Sequence, residues 1–91
     1  MTQVEYFSEA TTLVPHLEFT GDKLFEIALM YSSGRSITID RVQAHKFFNL
    51  AAFKGIEVAK DYRKDLAAEM EKDEIAIAQK EAREWLSGKF H

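Results

Sequence analysis

Residues 24–55, LFEIALMYSSGRSITIDRVQAHKFFNLAAFKG, hold two runs of helical period separated by one short break. In the first run Leu24, Ile27, Ala28 and Tyr31 recur at i, i+3, i+4 and i+7, the spacing that puts side chains on one face of an α-helix. Asp22 can accept from the free amides of a first turn, and Gly34 can take the left-handed conformation that ends a helix, so a helix over 22–33 is predicted. In the second run Asp40 suits an N-cap and Gln43 stands where a capping-box partner would. Ala44, Phe47, Phe48, Ala51 and Ala52 form the apolar face of a helix over 40–54, closed by Gly55. Arg35 to Ile39 lacks helical spacing and reads as a connection that bends the chain back. Rings alternate with alanines on the second face, which lets a neighbouring helix approach closely. Tyr31, Ala44 and Ala52 are expected to be buried where the two helices cross.

Beyond Gly55, Ala59, Tyr62, Leu66 and Met70 mark one face of a helix over 57–70. Ile75, Ala78, Ala82 and Trp85 mark another over 73–87, with Asp73 as its cap and Gly88 as its stop. Fusing the two would give about 30 residues, roughly 45 Å of helix, with no core of matching length, so two helices are expected. Before Asp22 the pattern is weaker: Val4 and Phe7 suit a helical turn, Thr11 and Thr12 weaken it, and Val14-Pro15 breaks it. The reading is therefore all-α, antiparallel helical hairpins of about four helices, with residues 1–20 as a partly ordered arm and 21–91 as one domain.

Composition bounds what such a domain does. The chain has 91 residues, 12 Lys plus Arg against 15 Asp plus Glu, a formal charge of −3, and no Cys. At this length about 60% of the unfolded surface is buried, which leaves one core and no separate catalytic lobe. Without cysteine there is neither a disulfide framework nor a thiolate metal site. Apolar stretches such as Ile27 to Tyr31 fall far short of the roughly 20 residues a membrane span needs, and the opening MTQVEYFSEA carries acids and no base. A soluble, cytoplasmic chain is the expectation. A net charge this small gives no field that would attract a polyanion.

The run from Leu24 to Gly55 resembles the Sel-one-like repeat, a relative of the tetratricopeptide repeat built from two antiparallel helices. That family places an aliphatic-small pair before a Tyr and a Gly, then an Asp, an Ala, paired aromatics, a double Ala and a final Gly. Ile27-Ala28, Tyr31, Gly34, Asp40, Ala44, Phe47-Phe48, Ala51-Ala52 and Gly55 hold those positions here, while Ser36 stands where the family often has a second Gly. The resemblance covers about a third of the chain, and beyond Gly55 the signature Tyr and Gly are missing. It implies one repeat followed by C-terminal capping helices, with Trp85 and Leu86 covering the end of the core. It also implies a protein-binding adaptor or scaffold whose first helix lines the concave side, and no catalysis.

On that reading the Met30 side of the first helix, with Lys23, Glu26 and Ser33 beside it, is the candidate partner surface; methionine adapts to varied apolar ligands. His16, His45 and His91 have no His, Asp or Glu at i+3 or i+4, so no helical metal pair is expected, and His45 between Arg41 and Asn49 reads as a surface residue. No catalytic arrangement and no cofactor motif is present. Ser32 to Ser36 reads as an inter-helix turn and not as a phosphate cradle. Glu57, Asp61, Asp65 and Glu69 recur every four residues as an acidic stripe, offset by Lys60, Lys64 and Lys72 at i+3; a solvated face is favoured over a docking site for a basic partner. Phe7, Phe19, Phe53 and Phe90 fall outside the four apolar faces, and surplus aromatics of this kind supply caps or association surfaces. Two further partner classes stay open. One is self-association; the other is a nucleic acid, which would require Lys23, Arg35, Arg41 and Lys46 to converge.

Overall fold

The computed structural model describes residues 19–35 and 37–88, and every regular element within them is an α-helix. The turn expected from Val4 and Phe7, the break at Val14-Pro15, and His16, Ser36, Phe90 and His91 lie outside the described residues.

Helix α1 is Gly21–Ser33. Thr20 is extended and caps it, its hydroxyl accepting from the Lys23 amide at 3.1 Å. The cap therefore lies two residues before the expected Asp22, which sits inside the first turn, where its charge suits the positive end of the helix dipole. Gly21 has its own reason to be glycine: a Cβ there would stand 2.9 Å from Ile56 Cγ1, so its absence lets α1 lie close to the chain at Lys54 and Ile56. Gly34 ends α1 in the left-handed region at φ 77°, its amide donating to the Met30 carbonyl at 2.9 Å. The connection then returns, and the Asp40 amide donates to the Tyr31 carbonyl at 3.0 Å.

Helix α2 is Arg41–Phe53, capped by Asp40, whose carboxylate accepts from the Gln43 amide at 3.0 Å. Only half of the expected capping box forms. The Asp40 amide is already committed to Tyr31, so the Gln43 side chain has no donor to reach back to. Helix α3 is Val58–Ala67 and ends before the expected residue 70, because the Glu69 and Met70 amides tighten into turns on the Leu66 and Ala67 carbonyls at 2.9 and 3.1 Å. Helix α4 is Lys72–Ser87. Glu71, not Asp73, opens it, its amide donating to the Glu74 carboxylate at 2.8 Å, and Gly88 closes it at φ 80°.

The packing is centred on α2. Helices α1, α3 and α4 each lie against it, and α3 and α4 share no extended contact with each other. Phe47 and Phe48 are adjacent, so at about 100° per residue they point to different sides of α2. On one flank Phe48 stacks on Tyr62 of α3 at 5.4 Å and meets Phe25 of α1 at 5.8 Å, and Phe25 meets Tyr62 edge-on at 5.2 Å to close a triangle. On the other flank Phe47 stacks on Tyr31 at 6.0 Å and takes Trp85 of α4 edge-on at 5.5 Å, with Phe19 stacked beyond Trp85 at 5.9 Å. Each such pair contributes about 0.5–1.5 kcal/mol beyond its burial. Ala28, Ala44, Ala51, Ala59, Ala78 and Ala82 are buried, and Leu24 and Leu50 are buried with them.

Ala44 is buried as expected, Tyr31 and Ala52 are partly buried and pack against the core, and Ala51, like Ala44, is buried completely. Leu50, absent from the expected apolar face, is buried because α2 is covered on three sides and not one. Trp85 and Leu86 pack against the core, as does Phe19, the described end of the N-terminal arm.

Candidate interaction surface

Lys23, Glu26, Met30 and Ser33 fall within about 80° of arc on α1, turned away from Leu24 and Ala28. Lys23, Glu26 and Ser33 are exposed and Met30 is half-buried. Lys23 and Glu26 pair with each other at 3.7 Å, an exposed contact that contributes little. The Ser33 hydroxyl accepts from the Arg35 amide at 3.2 Å. Met30 is the only apolar side chain of the four. The residues that carry the resemblance, Ile27, Ala28, Tyr31, Gly34, Asp40, Ala44, Phe47, Phe48, Ala51, Ala52 and Gly55, serve the core, the caps and the turns.

His45 is not a surface residue. It is 3% exposed, on the side of α2 that receives α3, and its Nδ1 is buried with no hydrogen-bond partner among the described residues. Burial, and then the positive charge of Arg63, hold its pKa below the ordinary 6.5, so the imidazole is neutral at pH 7. Arg63 itself is held in the same seam by donating a hydrogen bond to the side-chain Oδ1 of Asn49. A histidine between Arg41 and Asn49 looks polar in sequence; only the seating of α3 on that side buries it.

The acidic stripe is exposed along its whole length, but its ends and its middle differ. Glu57 pairs with Lys60 at 3.3 Å, and Glu69 pairs with Arg41 at 3.8 Å. Asp61 and Asp65 have no ion-pair partner among the described residues, and the offsets expected from Lys64 and Lys72 do not form. Beside those two aspartates stand Val58 and Tyr62. Among the described residues Ile39, Phe53, Val58, Tyr62 and Ile77 are the large apolar side chains left exposed, at 43% to 69%. Of these, Val58 and Tyr62 are one turn apart on one helix and so form a continuous ledge. Tyr62 was assigned to the core face by its spacing; its ring does reach Phe25 and Phe48, yet one side remains open. Phe53, the surplus aromatic of α2, is the most exposed of the five.

The bases that a nucleic acid would require are dispersed. Lys23 and Arg41 are engaged with Glu26 and Glu69, and Lys46 lies over the Phe47 and Trp85 rings with its ammonium 3.9 Å from Glu81. Among the described residues no group of side chains could hold a metal ion, and no helix is long and apolar enough to cross a membrane. No family model, no curated protein and no solved structure matches this chain.

Proposed function

We propose that this chain is a small helical adaptor or scaffold, of the kind its Sel-one-like resemblance implies, that binds a protein segment through α1 and the surface beside it and performs no catalysis. The observation that carries this reading is the ledge of Val58 and Tyr62, which reaches α1 through the edge-on contact of Tyr62 with Phe25. Apolar side chains exposed contiguously are characteristic of association surfaces, whereas scattered ones need no explanation. Met30 adds an adaptable apolar contact elsewhere on α1, about 140° around the helix from Phe25.

The test is affinity capture from native lysate with Met30→Glu. The variant is expected to lose the partner that the parent chain retains while its circular dichroism spectrum stays unchanged, because the new carboxylate would have to be desolvated unpaired. Retention of the partner removes α1 from the site. Exposed Phe53 favours a second reading, a self-associating unit, which sedimentation velocity separates by a size that rises with concentration. The paired state of Lys23, Arg41 and Lys46 gives a nucleic-acid role the least support.

A further inference from the structure

The charge around the Val58–Tyr62 ledge selects its occupant, and we propose that the ledge receives a basic, amphipathic segment of a protein partner. This rests on the adaptor reading and specifies the partner's chemistry. Val58 and Tyr62 are 45% and 43% exposed. Measured around α3 from Tyr62, Val58, Asp65 and Asp61 lie about 40°, 60° and 100° further out, all on the side away from buried Ala59. The ledge continues onto α1 through Phe25, and Asp22 lies about 60° outward of Phe25 on its solvent side. Asp22, Asp61 and Asp65 are all exposed, and none has an ion-pair partner among the described residues.

The bases of α3 do not pair with this rim: Arg63, about 100° around from Tyr62 on the Ala59 side, is held by the Asn49 side chain. Lys60 and Lys64 lie roughly 160° around the helix from Tyr62, in either direction, with Lys64 about 60° beyond Asp61 and unpaired with it, so the ledge is apolar at its centre and mainly acidic at its rim. A segment that brings apolar side chains flanked by Lys or Arg buries Val58 and Tyr62 and pairs Asp61 and Asp65 in the same act. A second copy docking through this same face would bring the same three aspartates to the contact and be repelled, and a polyanion would be repelled more strongly. From Val58 to Asp65 the ledge runs about 10 Å, enough for two turns of a bound helix.

The test titrates the full isotope-labelled chain with a synthetic amphipathic Lys/Leu helix and follows the amide resonances. A Glu/Leu peptide of the same pattern and a Lys/Ser peptide of the same charge are the controls. The Lys/Leu peptide is expected to shift the amides of 58–65 and 22–29, and neither control is expected to bind at the same concentration. Asp61→Lys with Asp65→Lys, and separately Val58→Asn, should each weaken binding by about tenfold or more with the circular dichroism spectrum unchanged. Met30 lies outside the ledge, so Met30→Glu should leave the peptide titration as it is; its effect on capture tests the α1 reading, and the charge reversal tests this one. Shifts confined to another surface overturn the proposal, as does equal binding of the Glu/Leu peptide or an affinity indifferent to the charge reversal. Shifts of the same amides on concentrating the chain alone would assign the ledge to a second copy and overturn it as well.

Discussion

His45 sits in the seam between α2 and α3, beside Arg63, with its Nδ1 buried and unpaired among the described residues. Unfolded, it titrates near 6.5; folded, desolvation and then Arg63 keep it neutral to a lower pH. Between those two values the unfolded chain binds more protons than the folded one. Stability from this group is therefore complete above about pH 6.5 and declines as the pH falls through the window below it. The melting temperature is expected to drop between about pH 7.5 and about pH 5.5, and His45→Leu is expected to flatten that drop. Parallel profiles for the two proteins would remove His45 as the cause. None of this was readable from the residues around position 45, because burial here is decided by which side of α2 receives α3. The same holds for the ledge: the four-residue spacing of the acids was plain, but Val58 and the open side of Tyr62 emerge only once α1 is in place beside α3.

At the scale of the element, helix ends were legible where one residue type does the work. Gly34 and Gly88 take positive φ, and Asp40 caps α2, all as their chemistry requires. The caps of α1 and α4 lie two residues upstream of Asp22 and Asp73, at Thr20 and Glu71, because an acid inside a first turn serves the dipole without being the cap. Within the double alanine Ala51 is buried completely and Ala52, about 100° further around α2, only in part. That difference has a direct consequence. Ala51→Leu should overpack the contact of α2 with its neighbours and destabilise by about 1–3 kcal/mol, whereas Ala52→Leu, at a half-buried position, should cost less than about 1 kcal/mol. Thermal or urea unfolding of the pair measures this, and equal losses would contradict the packing of α2 described above.

The whole molecule differs from a linear stack in one respect. In a stack each hairpin rests on the next, so an end can loosen while the rest holds. Here α3 and α4 do not support each other; both rest on α2, one through Phe48 and the other through Phe47. Paired aromatics read from sequence as one apolar face in fact serve two flanks. Neither flank retains a core of its own once α2 leaves, since Ala44, Phe47, Phe48, Leu50 and Ala51 belong to the single central helix. Unfolding should therefore be one cooperative step across the molecule. Trp85 is the sole tryptophan and reports only the α4 flank, where Phe19, Phe47 and Lys46 surround it. Its fluorescence and the far-ultraviolet circular dichroism are expected to share one midpoint in urea. Phe48→Leu is the sharper test, because it opens the aromatic triangle with Phe25 and Tyr62 on the opposite flank. Both signals should move to lower urea together; a Trp85 transition left where it was, with only the circular dichroism shifted, would mean that the two flanks melt independently and that α2 does not join them.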